Sequence, residues 1–175
     1  PFVINGEEKF IIETETEQNK NLSYIWEPRM SANGKYITGK YRHVVYNEGE
    51  EFPTTDIFQA CRYNVETKQF ELFEKVGVEW GGWDVDNNGV VYANTPVNEH
   101  PVRQGYVITD GNAVELEQML LANGVTQKEI DAASAPASEE FDNKLGTILA
   151  VSRDGKTIIG CAGQCATYNW VVTLK

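Results

Sequence analysis

Basic residues are scarce in this sequence, and the charge balance limits the classes of partner. Fifteen Lys and Arg stand against 26 Asp and Glu, which leaves a formal net charge of −11 over 175 residues. Nucleic acid and anionic membrane surfaces are both bound through basic patches, so neither is an expected partner. No apolar run approaches the roughly 18 residues that a transmembrane helix needs, and membrane insertion is not expected.

Histidine and cysteine are also rare, which narrows the chemistry available to the chain. His43 and His100 lie in segments expected to be loops, and neither a Ser-His-Asp nor a Cys-His pairing is indicated. Cys161 and Cys165 would close a small disulfide in an oxidising compartment, with two free thiols as the equal alternative. Neither a metal nor a cofactor is expected, because further ligands are missing. Cys61 is expected on a buried strand.

The overall composition is that of a globular, sheet-rich domain. Hydrophobic residues make up 41% and charged residues 23%, which separates the chain from disordered sequences, and an aromatic content of 11% favours β-structure. The chain begins at Pro1 without a methionine, so we expect a processed or excised piece. The lack of a visible signal peptide therefore decides nothing about compartment.

One hairpin pattern occurs three times and organises the sequence. Residues 151–160 hold an apolar segment, Ser-x-Asp-Gly and a second apolar segment; residues 30–39 repeat it, and residues 85–94 are a divergent copy. In each copy Asn-Gly or Asp-Gly predicts a two-residue type I′ turn, because both pairs tolerate positive φ. A second hairpin follows at residues 61–73 and 106–116, and residues 2–12 have its form.

The two hairpins together predict four-stranded units, and hence an all-β, β-propeller-like fold. We expect one domain over residues 1–175, with units at about 1–15 (partial), 25–74, 80–121 and 148–175. About three and a half units make an incomplete propeller. Missing upstream blades, or a second copy of the chain in a homo-oligomer, would then cover its open edges.

A small helical and loop insertion is expected at residues 114–144. Apolar residues at 116, 119, 120 and 121 precede Gly124, a helix stop. Thr126 and Glu129 form a capping-box pattern that predicts a second short helix through Ala133. The remainder of the insertion is predicted to be a polar loop.

Several of these motifs resemble the bacterial extracellular HAF-type propeller repeat. The Ser-x-Asp-Gly-x-x-Ile-x-Gly core at residues 152–160 matches it, and residues 60–63 stand where that family has an Ala-Phe-x-Trp strand. The closing run is also similar, through Leu116, Leu120, Gly124 and the Trp-Val-x-x-Leu segment at residues 170–174. The second unit departs from the pattern, since Asp86 replaces the serine and Asn94 the closing glycine. The resemblance implies an extracellular, cell-surface or periplasmic propeller with no established chemistry.

The segment around the second hairpin is the richest candidate for a site. Trp80 and Trp83 would form a platform for a sugar ring, with Glu79 and Asp84 as hydrogen-bond acceptors, whereas the alternative places the indoles in the core between blades. The glycines at positions 81 and 82 predict a close backbone approach or a sharp bend.

Calcium is the other chemistry that this segment suggests. Asp84, Asp86 and Asn88, followed by a glycine, match the first half of an EF-hand loop, but Thr95 occupies the position of the required glutamate. The register with the other hairpins favours an ordinary turn.

The sequence therefore favours a non-enzymatic, extracellular or periplasmic binding or scaffold module, with a protein or a glycan as partner. The alternative is a carbohydrate-binding or carbohydrate-active protein that uses Trp80, Trp83 and nearby carboxylates. With 26 acidic residues, the sequence cannot select a catalytic pair of carboxylates.

Overall fold

A computed structural model of the chain describes residues 2–5, 8–11, 24–45, 51, 55–73, 81–97, 100–134, 145–162 and 168–175. These residues form antiparallel strands and two short helices. The strands are β1 (Phe2–Asn5), β2 (Glu8–Ile11), β3 (Tyr24–Met30), β4 (Tyr36–Val45), β5 (Thr55–Asn64), β6 (Gln69–Phe73), β7 (Gly81–Val85), β8 (Val91–Val97), β9 (His100–Thr109), β10 (Asn112–Glu115), β11 (Thr147–Val151), β12 (Thr157–Ala162) and β13 (Tyr168–Thr173). The helices are α1 (Leu116–Ala122) and α2 (Gln127–Ala133).

Sequence neighbours pair throughout, so each sheet is an up-and-down meander. Strands β3–β6 form the first sheet in the order 3-4-5-6, and β7–β10 form the second in the order 7-8-9-10. Strands β11–β13 form a three-stranded third sheet, and β1 and β2 form a separate hairpin. Repeated antiparallel meanders confirm the predicted all-β, propeller-like fold.

The second sheet lies between the other two, and its side chains alternate between two cores. Val91, Ala93 and Ile108 pack with Ala60 and residues near it on the first sheet. Their sequence neighbours, such as Tyr92 and Val107, point the other way and pack with the helices and the third sheet. Because both faces are covered, β8 is buried without interruption from residue 91 to residue 95. The cores thus stack sheet upon sheet.

The repeated Ser-x-Asn/Asp-Gly turns differ from the predicted two-residue type I′ form. In the first, Ser31 pairs with Tyr36, so the loop contains four residues, and only Gly34 has a positive φ, at 75°. The Asn33 carboxamide oxygen accepts from the Ser31 hydroxyl and from the Lys35 N–H, which holds the longer loop. The prediction was wrong because these side-chain bonds, rather than the Asn-Gly pair, determine the loop length.

The third copy has the same bonds. Ser152 donates to the Asp154 carboxylate at 2.6 Å, and Thr157 N–H donates to the Ser152 hydroxyl oxygen at 2.8 Å. Type I′ chemistry occurs instead in the outer hairpin of the second sheet, where Asp110 and Gly111 have φ of 48° and 74° in a two-residue turn.

The helices confirm the insertion, with small shifts in its bounds. Strand β10 takes the first residues, so α1 begins at Leu116. Gly124, at φ 84°, follows the end of α1, and the Thr126–Glu129 capping box is formed in full at the start of α2. Neither helix is long enough or apolar enough to cross a membrane, and no other helix occurs among the described residues.

Both histidines lie in strands rather than in the expected loops. His43 belongs to β4 and His100 to β9. For His43 the reason is the length of the hairpin arms, since β4 and β5 stay paired as far as Val45 and Thr55. His100 pairs with Val97 at the start of β9.

Candidate functional site

The structure describes part of the predicted site. Glu79 and Trp80 lie outside the described residues, whereas Trp83 and Asp84 lie on β7, both half-buried. Strand β7 is the first strand of the second sheet and packs against the first and third sheets. The two described side chains therefore stand where three sheets meet.

Trp83 is held between the first and third sheets. Its indole N–H donates to the backbone oxygen of Leu149 on β11, at 3.1 Å. The ammonium nitrogen of Lys40 on β4 lies 5.5 Å from the centre of the ring, within the range of a cation–π contact. These contacts favour the interpretation of Trp83 as a packing residue. Its role in binding a ligand stays a prediction.

Asp84 links the second and third sheets through its carboxylate. One oxygen accepts from the backbone N–H of Val151 at 2.9 Å, and the other accepts from Val85 N–H at 2.9 Å. A carboxylate suits this role because each of its two oxygens can accept a hydrogen bond. Asp84 thus has a structural function whether or not it also binds a ligand.

The two glycines of β7 bring the sheets into close contact, as predicted. A Cβ atom on Gly82 would collide with the Thr38 hydroxyl and lie 3.0 Å from the backbone N and O of Gly39. A Cβ atom on Gly81 would lie 2.7 Å from the Lys40 side chain. Only glycine allows the second sheet to approach β4 at this distance.

The EF-hand-like segment forms a turn. Asp86 is 3% exposed, and one carboxylate oxygen accepts from the N–H groups of Asn88 and Val90, at 2.9 Å each. Asp86 thereby replaces both the serine and the acid or amide of the other copies, and its loop is one residue shorter. Within the described ranges, no three side chains of the His, Cys, Asp and Glu types are grouped for a metal ion.

Two of the three cysteines, Cys61 and Cys161, lie within the described residues. Cys61 is fully buried on β5, as expected, and burial raises the pKa of its thiol to about 12. Cys161 is buried on β12, and Cys165 lies outside the described residues, so their disulfide stays a prediction.

An aromatic cluster on the first sheet has no counterpart in the sequence analysis. Trp26 on β3 is 48% exposed, and its ring centre lies 5.4 Å from that of Phe58 on β5, with the planes tilted by 40°. The Arg42 guanidinium, on the strand between them, lies 5.7 Å from the centre of the Phe58 ring. We call Trp26, Arg42 and Phe58 the Trp26 patch.

The Trp26 patch borders the predicted site through Lys40. Lys40 lies directly opposite Trp26 in the register of β3 and β4, and its ammonium pairs with Glu27 at 2.7 Å. The same ammonium faces the ring of Trp83. Glu27 has a φ of 51° at an irregularity in the pairing of β3 with β4, which displaces this end of the strand from regular pairing.

Comparisons with known proteins give little further guidance. No protein-family model matches the chain, and no curated protein matches it. Among solved structures, the crystal structure of TolB from Acinetobacter baumannii is similar at 12% identity with a TM-score of 0.43. That likeness covers 94% of this chain and 31% of the other, so the chain spans about a third of the length of that protein. A likeness this weak supports neither the fold assignment nor a function.

Proposed function

We propose that this chain is a non-enzymatic binding or scaffold module of propeller type, and that the Trp26 patch is its contact surface for a protein partner. The observation that carries the proposal is the large, half-exposed indole of Trp26, held by Phe58 and Arg42. Trp and Arg are enriched among the residues that dominate protein–protein binding energy. The patch is also fixed by contacts within the sheet, so less side-chain freedom is lost on binding.

The location that we propose is extracellular, cell-surface or periplasmic. The support is the resemblance of residues 152–160 to the HAF-type repeat, and we propose membership of that repeat family together with the location. The acidic composition, with a net charge of −11, is compatible with a protein or a glycan as partner and unfavourable for nucleic acid.

A carbohydrate is the second candidate ligand. The exposed face of an aromatic ring can stack on a sugar, and the Trp26 patch borders Trp83 through Lys40. On this alternative the indole of Trp26, rather than that of Trp83, carries the stacking. Glu27, whose carboxylate pairs with Lys40 beside the patch, would accept hydrogen bonds from hydroxyl groups.

A matched pair of variants tests both candidates. Trp26→Ala removes the patch, and Val114→Ala removes another exposed apolar side chain, 40% exposed on β10 and outside the patch. Each immobilised protein is incubated with secreted and periplasmic proteins of the source cells, and retained proteins are identified by mass spectrometry. We expect a partner that Trp26→Ala loses and Val114→Ala retains.

Two other results would give different conclusions. Retention of every partner by Trp26→Ala would refute the Trp26 patch as the contact surface. If instead chitohexaose or cellohexaose quenches the tryptophan fluorescence, and Trp26→Ala abolishes the response, the carbohydrate candidate is favoured. Both variants should melt close to the unchanged protein, because exposed substitutions usually alter stability little.

A further inference from the structure

The third sheet ends in a strand, β13, whose outer side pairs with no described strand. The first and second sheets contain four strands each, and the third contains three. Its last strand, β13, pairs with β12 on one side and with no described strand on the other. An unpaired edge presents a row of backbone donors and acceptors to any extended chain that approaches it.

The ladder identifies which groups point outward. Leu174 N–H donates to the Lys156 oxygen at 2.7 Å, and hydrogen-bonded pairs alternate along an antiparallel ladder. Trp170 and Val172 therefore bond to β12, as their partners Gly160 and Ile158 require. The alternate residues of β13 direct their N–H and C=O groups away from β12, and these residues are Asn169, Val171 and Thr173.

An apolar groove runs beside this edge. Its volume is about 280 Å³, the share of roughly nine water molecules in the liquid. Residues of the two helices, of β13 and of the segments next to the helices and β11 line it, among them Leu120, Val125, Ile130, Ala133, Leu145 and Val172. Val171, at the edge, is 65% exposed. The edge supplies backbone pairing, and the groove supplies a place for a side chain.

We propose that an extended peptide binds along β13 as a fourth strand, with an apolar side chain in the groove and a basic residue facing Glu129. This mode of recognition combines main-chain hydrogen bonds for affinity with pockets for alternate side chains. The site goes beyond the proposed function, because it shares no residue with the Trp26 patch. A peptide added here would give the third sheet the strand number of the other two.

Charge decides between a basic peptide and a second copy of the chain. Glu129 is the charged residue that lines the groove, and its hydrogen bonds from Thr126 hold the pKa of its carboxyl below the ordinary value. The positive charge of Lys175 lowers that pKa further, so the carboxylate is ionised at neutral pH, and a basic peptide residue would join Lys175 beside it. A second copy would bring another net charge of −11 to the same place. A basic, extended peptide avoids that repulsion.

The test uses a library of seven-residue peptides, Lys-x-Thr-x-Thr-x-Lys, in which x is Val, Ile, Leu or Phe. Binding is followed by the amide NMR shifts of the whole chain, which should change at Asn169, Val171 and Thr173. Proline at the central position of the best peptide should weaken binding tenfold or more, because it removes a backbone donor. Glutamate in place of both lysines should weaken binding about two- to fivefold, because the ion pair with Glu129 is lost.

Two substitutions at one position separate backbone from side-chain effects. Val171→Pro removes an outward N–H that makes no bond to β12, and proline is tolerated on edge strands. Val171→Thr keeps that N–H and changes only the side chain. We expect Val171→Pro to lose the peptide and Val171→Thr to bind within twofold of the unchanged protein. If Val171→Pro fails to fold, the proline-containing peptides give the same test from the other side.

Several outcomes would overturn the proposal. The first is the absence of binding below 1 mM for every library member. The second is equal binding of the proline-containing peptide, and the third is loss of binding in Trp26→Ala, which would place the peptide on the Trp26 patch. Concentration-dependent dimerisation in sedimentation experiments, abolished by Val171→Pro, would show that a second copy occupies the edge. A failed partner search with Trp26→Ala leaves this result unaffected, so the two proposals fail separately.

Discussion

The substitution of Asn94 gives the clearest prediction of a change in stability, because the Asn94 side chain hydrogen-bonds buried backbone groups at the edge of another sheet. The carboxamide nitrogen donates to the Ile148 backbone oxygen, and the carboxamide oxygen accepts from the Ile148 N–H, both at 2.8 Å. Asn94 is 5% exposed and Ile148 is fully buried. Replacing Asn94 with alanine would leave a donor and an acceptor of Ile148 without partners and without access to water.

The expected loss follows from the number of groups left unsatisfied. Each buried, unsatisfied backbone group costs about 1–3 kcal/mol, so Asn94→Ala should lower the free energy of unfolding by about 2–6 kcal/mol. That is a large part of the roughly 5–15 kcal/mol by which domains are stable. Urea unfolding, followed by circular dichroism, measures the change through the transition midpoint at an unchanged slope.

Asn87→Ala is the matched control. The Asn87 carboxamide oxygen also accepts a bond between sheets, from the Asn33 N–H at 2.9 Å, but that contact is exposed to solvent. Water can replace the lost acceptor, so the loss should stay near 0.5–1.5 kcal/mol. Equal losses in the two variants would refute the reasoning that burial, rather than the hydrogen bond itself, sets the cost.

Three further predictions concern other parts of the fold. Gly82→Ala should destabilise the protein by about 1–3 kcal/mol, because its Cβ would strike β4, and an unchanged urea midpoint would contradict this. Glu129 caps α2, and its hydrogen bonds from Thr126 lower the pKa of its carboxyl. Its contribution to the free energy of unfolding is therefore fully present above the ordinary pKa of 4.5 and is lost as pH falls through the pKa of the folded state. Glu129→Gln should flatten the acid side of the profile of melting temperature against pH, and parallel profiles for the two proteins would exclude the effect. The Cys61 thiol should escape alkylation in the folded protein at pH 8, because burial raises its pKa to about 12 and the thiolate is the reactive form; peptide mapping that finds rapid native-state labelling would disprove it.

Local chemistry made the strand order and the helix starts predictable. A hairpin signal acts over a few residues, so the four-stranded meanders follow from the glycine turns and the apolar segments between them. The capping box acts over three residues, and Thr126 and Glu129 form it as predicted. Features of this range depend on the sequence itself and little on the neighbouring sheets.

The loop lengths were less predictable because side chains compete with the backbone. Ser31 and Asn33 each accept a backbone N–H, and that network fits a four-residue loop better than a type I′ turn. An Asn-Gly pair identifies where a hairpin turns. It does not decide which residues face each other across it.

The Trp26 patch depends on long-range register, which the sequence does not encode locally. Trp26, Arg42 and Phe58 come from three strands, and they meet because Arg42 lies opposite Phe58 and the strand irregularity near Glu27 displaces β3. A sequence pattern cannot place that irregularity. The role of Trp83 is hidden for a similar reason, since its contacts, Lys40 and Leu149, belong to two other sheets.

The second unit departs from the repeat at positions that contact the next unit. A Cβ atom on the turn glycine Gly155 would collide with the Asp86 carboxylate and lie 3.1 Å from the Tyr92 hydroxyl oxygen. The first unit contacts the second in a related way, with Gly89 packed against the Tyr36 ring.

Asp86 and Asn94 replace the serine and the closing glycine of the repeat, and both have longer polar side chains. Asp86 reaches the turn of the third sheet, and Asn94 reaches Ile148 on its first strand. The second sheet is covered on both faces by described sheets, so the buried carboxamide of Asn94 finds its partners across an interface. Asp86 forms its hydrogen bonds within its own turn and packs against the turn of the third sheet. Asp86 and Asn94 therefore differ from the repeat because their sheet lies between two others. In the sequence alone, the same two residues look like unexplained divergence from the pattern.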